Sequence, residues 1–213
     1  MGYQVKLDKK WIVANKNNNP TTCILCLPGR FNHASELCGV YKKCLHISDQ
    51  LIIGITPKYR VWYPMPNGIH DQTDALHELK HAQRLVESAV DTIKKRFGIN
   101  RNKIIMIGHS AGAVMALQVA MHSDEPFAGV ISHSGAILDA DSVPKCQCPS
   151  TRILLTHNKD DLIFEWCERY LPMLHHLKEK GYTVYQIEES TGSHCVTEKQ
   201  FILAKYFIQA VFE

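Results

Sequence analysis

The chain reads as an α/β fold, a mostly parallel central sheet with helices on both faces. Three observations predict it. Short β-branched, apolar runs recur along the 213 residues and alternate with longer segments of helical period. The spacing between runs suits strand–helix–strand units rather than hairpins. One run, Ile104-Ile105-Met106-Ile107, stops at Gly108-His109-Ser110-Ala111-Gly112 and passes directly into the helix-forming stretch 113–121.

The elements follow in order. Residues 3–14 alternate weakly, as a hairpin arm would, and Asn15 to Pro20 is a polar turn. Residues 22–27 form a buried strand, Pro28 to Asn32 a loop, and a helix then runs from near Ser35 through Leu45. Leu51 to Thr56 is the next strand. Pro57 to Asp74 is a long connection containing Trp62 and Tyr63, two aromatics available to line a cleft or to pack as anchors. Asp74 caps a long helix whose apolar stripe is Ala75, Leu76, Leu79, Ala82, Leu85, Val86, Ala89, Val90, Ile93 and Phe97, and Gly98 ends it. Strands at 103–107, 128–132, 152–156 and 182–187 follow. Residues 165–180 are helical with a kink or break at Pro172, and a last helix covers 197–212. The length suits a single domain, 1–213.

Composition narrows the class. The chain is 45% hydrophobic and 21% charged, as soluble globular proteins are, with dispersed basic residues and a net charge of +3, which gives no nucleic-acid signature. No apolar stretch reaches membrane-spanning length, the N-terminus has no secretory core, and Lys6 breaks the myristoylation pattern, so a cytoplasmic location without stable membrane insertion is expected. In that reducing compartment the eight cysteines are free. Cys23 and Cys26, with Cys146 and Cys148, could be a zinc set. The first two lie on one strand and point to opposite faces, which argues against a shared metal. His77-Glu78-Leu79-Lys80-His81 matches H-E-x-x-H, the zinc-peptidase pattern. Its histidines fall on the polar side of the helix, Lys80 sits inside the motif, and no third ligand has a familiar spacing. Neither metal nor cofactor is expected.

The stretch 104–112 carries the chemistry. G-x-S-x-G between a buried strand and a helix is a sharp turn that lifts the serine hydroxyl to the strand's carboxyl end. Ser110 is therefore read as a nucleophile. A serine needs a base, and the base needs a carboxylate to orient it. His194, in Gly192-Ser193-His194-Cys195, combines the required chain order with a loop between the last strand and last helix. The acid comes from His157-Asn158-Lys159-Asp160-Asp161. Counting back from Leu162-Ile163 selects Asp160, which is preferred; counting forward from His157 selects Asp161. Asp139 and Asp141 are weaker alternatives. The oxyanion requires backbone donors, for which Ala111 and Arg30 are the candidates. The Arg30 guanidinium is free to meet an acidic substrate group or, more simply, solvent.

These residues, together with Leu27-Pro28-Gly29, Val61-Trp62-Tyr63-Pro64, Gly98-Ile99-Asn100 and Gly129-Val130-Ile131-Ser132-His133-Ser134-Gly135, resemble the phospholipase/carboxylesterase family of α/β-hydrolases, which includes the acyl-protein thioesterases. The resemblance covers roughly residues 22–212. It implies an α/β-hydrolase fold without a large cap domain and a serine hydrolase that cleaves carboxylic esters or thioesters through an acyl-enzyme. Pro28-Gly29 stands where the family usually has His-Gly, and Ala111 where it often has glutamine; these departures weaken any transfer of a protein-depalmitoylating role. The substrate is expected to be a small molecule or acyl ester in an open cleft walled by Trp62, Tyr63 and Trp166. A peptidase on the same fold, or a non-catalytic binding protein on a hydrolase scaffold, are the alternatives. The sequence does not specify an oligomeric state.

Overall fold

The computed structural model describes residues 11–13, 19–45, 50–64, 69–138 and 143–213. Seven strands form one sheet in the order β1-β3-β2-β4-β5-β6-β7: β1 (Trp11–Val13), β2 (Thr22–Leu27), β3 (Gln50–Ile55), β4 (Ile104–His109), β5 (Gly129–His133), β6 (Arg152–Asn158) and β7 (Thr183–Glu189). Only β1 runs antiparallel, against β3; every other pairing is parallel. The expected hairpin arm is represented by β1 alone, since residues 3–10 lie outside the described residues. The inner strands β2, β4 and β5 are almost wholly buried, as parallel strands covered on both faces must be.

Five helices cover the sheet: α1 (Ala34–Cys44), α2 (Ile69–Phe97), α3 (Ala111–Met121), α4 (Leu171–Glu179) and α5 (Glu198–Phe212). One face packs Leu37, Cys38 and Tyr41 of α1 with Ala204 and Ile208 of α5 over Ile24, Ile105, Ile107 and Ile131. The other packs the stripe of α2, all of α3 and Met173, Leu174 and Leu177 of α4 over Leu25, Met106 and Val130. Every residue of α3 is buried, which explains why its sequence is apolar all round. Cys23 and Cys26 fall in opposite cores, as their spacing predicts.

Two boundaries differ from expectation. Helix α2 begins at Ile69, so Asp74 lies inside it rather than capping it; Gly68 is the last residue before Asp74 that disfavours a helix. The segment around Pro172 is a π-helical turn, Trp166–Tyr170, followed by α4, with Pro172 in its first turn where the missing N–H costs nothing. His77, Glu78 and His81 are exposed, with His81 against Arg84 at 3.0 Å, on the solvent side of α2. Among the described residues no helix is long and apolar enough to cross a membrane.

The topology fixes where a ligand can sit. After β2 the chain builds β3 on one side, then returns to lay β4 on the other. The loops leaving β2 and β4 therefore diverge and open a crevice at their carboxyl ends.

Candidate active site

Ser110 occupies the turn between β4 and α3 with φ 53° and ψ −122°, a backbone conformation that costs a non-glycine residue about 1–3 kcal/mol. Local sterics enforce it. A Cβ on Gly108 would lie 2.2 Å from the Gly112 carbonyl oxygen, and one on Gly112 would lie 2.0 Å from that of Leu27. Both glycines are needed for the backbone to close this tightly. The Ser110 N–H donates to the His133 carbonyl at 3.0 Å, tying the turn to β5. Behind it the His133 ring bridges the Tyr41 hydroxyl and Thr156 Oγ1, and complete burial lowers its pKa to about 3.

His194 Nε2 lies 2.7 Å from Ser110 Oγ, and Nδ1 lies 2.8 Å from Asp161 Oδ2. Asp161 is 2% exposed, and its Oδ1 accepts from the N–H groups of Ile163 and Phe164 at 2.8 and 3.0 Å. Its burial is thus compensated by donors on both oxygens. Phe164 stands edge-on to the His194 ring at 5.7 Å and shields the pair.

This corrects the preference for Asp160. Its exposed carboxylate accepts from Ser193 N–H at 2.7 Å and Gly192 N–H at 3.2 Å, gripping the loop that carries the histidine instead of the ring. Asp139 and Asp141 lie outside the described residues.

Three side chains missed by sequence reasoning complete that grip. Asn158 Nδ2 donates to the carbonyls of Ser193 (2.9 Å) and Cys195 (2.7 Å). Gln200 on α5 in turn donates to Asn158 Oδ1 at 2.8 Å. His109 Nε2 lies 3.1 Å from the His194 carbonyl, and burial followed by the neighbouring His194 lowers its pKa. The neutral ring can donate that bond from Nε2. Gly192, at φ 147°, leaves room for Asn158: a Cβ there would lie 2.6 Å from its Nδ2. The signals were present, since Asn158 ends β6 and His109 abuts the serine, but their partners lie 35 or more residues away.

The oxyanion candidates flank the serine. A Cβ on Gly29 would lie 3.4 Å from Ser110 Cβ, so the loop after β2 presses on the turn. The N–H groups of Arg30 and Ala111 have no hydrogen-bond partner among the described residues, whereas Phe31 N–H donates to Arg60 O and Asn32 N–H to Gly29 O.

Trp62 and Tyr63 are 4% and 3% exposed and pack into the core, and both line a pocket of about 380 Å³ with Lys58, Tyr59, Glu78 and Leu85. The Trp62 indole N–H donates to the Pro28 carbonyl at 2.8 Å, so it braces the loop after β2 from behind. Trp166 stacks on Tyr170 at 4.7 Å, lies under Lys159 at 5.0 Å and faces the His157 ring at 6.1 Å. A mainly apolar cavity of about 210 Å³ does open beside the site, between Gly29, Leu37, Val40, His109, Val196 and Phe201. Among the described residues no cluster of three or more potential ligands could hold a metal.

Comparisons with known proteins agree with this architecture. The phospholipase from Dyadobacter fermentans, described as a phospholipase/carboxylesterase, superposes with a TM-score of 0.81 at 18% identity, covering 94% of this chain and 96% of its own. The Bacillus cereus carboxylesterase gives 0.79 at 16% identity over 95% and 94%, and esterase PE8 gives 0.81 at 17% over 92% and 94%. At such identities the likeness is one of fold. No curated protein matches the sequence significantly. The sequence pattern of the phospholipase/carboxylesterase family matches residues 54–212; it begins after the loop 28–31, where the chain departs from the family's usual residues. That match spans well over half of the chain and includes the turn at Ser110 and the loops of Asp161 and His194, so the chain belongs to the phospholipase/carboxylesterase family.

Proposed function

We propose that the protein hydrolyses carboxylic esters or thioesters through an acyl-enzyme on Ser110. One observation carries this reading: the hydrogen-bonded line from Ser110 Oγ through His194 to Asp161, at 2.7 and 2.8 Å. His194 takes the serine proton as Oγ attacks the carbonyl carbon. Asp161 holds the ring with Nδ1 protonated and stabilises the imidazolium. The free N–H groups of Arg30 and Ala111 receive the oxyanion, each contributing about 3 kcal/mol in the transition state. His194 then protonates the leaving group, and a water that it deprotonates releases the acid. The 210 Å³ cavity, walled by Leu37, Val40 and Phe201, suits an acyl chain.

The test is hydrolysis of p-nitrophenyl butyrate by wild type, Ser110→Ala and His194→Ala. Each variant should fold and lose at least about 10⁴-fold in kcat. Near-wild-type turnover in either folded variant would overturn the assignment.

A further inference from the structure

The loop that meets the serine carries a cation with no counter-charge. Arg30 directly follows Gly29, the residue packed against Ser110. Its guanidinium lies over the Phe31 ring at 5.0 Å. The Nε atom is buried and has no hydrogen-bond partner, and none of the ion pairs among the described residues includes Arg30. A second orphan donor stands nearby. The Tyr63 hydroxyl is buried without a partner; burial pushes its pKa up, and the Arg30 guanidinium pulls it back down. An arginine exposed on a surface offers every N–H to water. Here one N–H and one phenol are shut away from it with no partner among the described residues, which is unfavourable unless a ligand supplies one.

The connection Pro57 to Pro64 carries Lys58 and Arg60 and no acid, and Arg60 Nη1 reaches the Phe31 carbonyl at 3.4 Å. Glu78 of α2 lines the same pocket as Lys58 and Tyr63, and its ion pair among the described residues is with His77. Glu36, the acid nearest in sequence to Arg30, is already engaged in starting α1. Its Oε2 accepts from Asn32 Nδ2 at 3.0 Å and its Oε1 from His33 N–H at 3.4 Å. Arg30, Lys58 and Arg60 thus enter no ion pair with a carboxylate among the described residues.

We infer that the substrates are anionic esters or thioesters, with a carboxylate or phosphate a few bonds from the scissile carbonyl that the Arg30 guanidinium binds. This deepens, and rests on, the ester-hydrolase reading. One residue then serves twice: its backbone N–H faces the oxyanion and its side chain anchors the charge that positions the ester. The planar guanidinium suits both anions, since it offers paired donors to either.

The two sources of charge are separated by matched pairs. The p-nitrophenyl monoester of glutaric acid against p-nitrophenyl valerate tests a carboxylate on the acyl side. 1-Butyrylglycerol 3-phosphate against 1-butyrylglycerol tests phosphate on the leaving-group side. In at least one pair wild type should prefer the anionic member by about 10–100-fold in kcat/KM. Arg30→Gln should bring that ratio to within about threefold of unity, and Arg30→Lys should restore part of it. Cleavage of the neutral esters with no preference for either anion, or a preference that survives Arg30→Gln, would overturn the inference and leave the hydrolase reading standing. If wild type cleaves none of the four, the hydrolase reading fails, and the anion site is read by calorimetric titration with glutarate and with inorganic phosphate. Binding that disappears in Arg30→Gln supports the site; no binding, or equal binding in both proteins, removes it.

Discussion

The serine turn and the histidine loop meet at one hydrogen bond, yet they are held in opposite ways. The turn is fixed by excluded volume around its two glycines. A Cβ on Gly108 would meet the Gly112 carbonyl and one on Gly112 the Leu27 carbonyl of β2, and Ser110 between them is held at φ 53°. The histidine loop, residues 190–197, has one such constraint, at Gly192, where a Cβ would meet Asn158. It is otherwise held by side chains from distant elements: Asn158 at the end of β6 and Asp160 just after it, His109 at the end of β4, and Gln200 on α5 through Asn158. Ser110 is thus placed by what cannot fit, and His194 by what is bonded from afar. Damage to the two should differ in kind.

The sharpest break is Gly112→Ala. A methyl 2.0 Å from a backbone oxygen cannot be absorbed by a side-chain rotation. Chemical denaturation should show a loss of more than about 3 kcal/mol, or no folded protein. A stable, active Gly112→Ala protein would mean that the turn is not sterically locked.

Asn158→Ala should be milder in stability and selective in activity. It removes two donors to the histidine loop and the acceptor for Gln200, for a loss of about 2–4 kcal/mol. A histidine freed by even 1 Å costs about 10²-fold in turnover. Labelling of Ser110 by a fluorophosphonate should slow in proportion to kcat while the turn itself stays intact. Unchanged kcat in this variant would show that the loop is held by something other than Asn158.

The smallest effect lies beneath the turn, at His133. Its folded pKa of about 3 is below the ordinary value of about 6.5, so the unfolded chain takes up a proton on acidification that the folded protein refuses. The stability it contributes is whole above about pH 6.5 and is lost as pH falls from there toward 3, at up to about 1.4 kcal/mol per unit. His109 and His157, both depressed chiefly by burial, add slopes of the same sign. His133→Asn should be less stable at pH 7 but show a flatter decline between pH 6 and 5. Equal slopes in the two proteins would mean that His133 is not kept neutral.

The same contrast explains what the sequence could disclose. Features placed by local sterics or chain order are legible: the parallel sheet, the strained turn at Ser110, and a histidine between the last strand and last helix that reaches it. Which carboxylate reaches that histidine is not, because the count back from Leu162-Ile163 holds only if these are buried. They are 83% and 55% exposed, and the buried anchor is Phe164, whose N–H binds Asp161. Counting forward along β6, which extends through Asn158, gives Asp161. An aromatic pair in a loop does not declare which way it faces, and the Trp62 bond to Pro28 turns its indole inward. Asn158 and His109 stand at legible positions, but their partners, like that of Gln200, exist only once β4, β6 and α5 are assembled.

Asp160 and Asp161 adjoin in sequence yet meet different partners, and one comparison separates their roles: kcat for ester hydrolysis by Asp161→Asn and Asp160→Asn, measured side by side at pH 7. Asp161→Asn should lower kcat by about 10⁴-fold, because an amide cannot hold His194 in the right tautomer. Asp160→Asn should lower it by about tenfold or less, since the loop keeps its bonds to Asn158 and His109. The reverse order, or equal losses, would contradict the assignment of Asp161 to the ring and Asp160 to the loop.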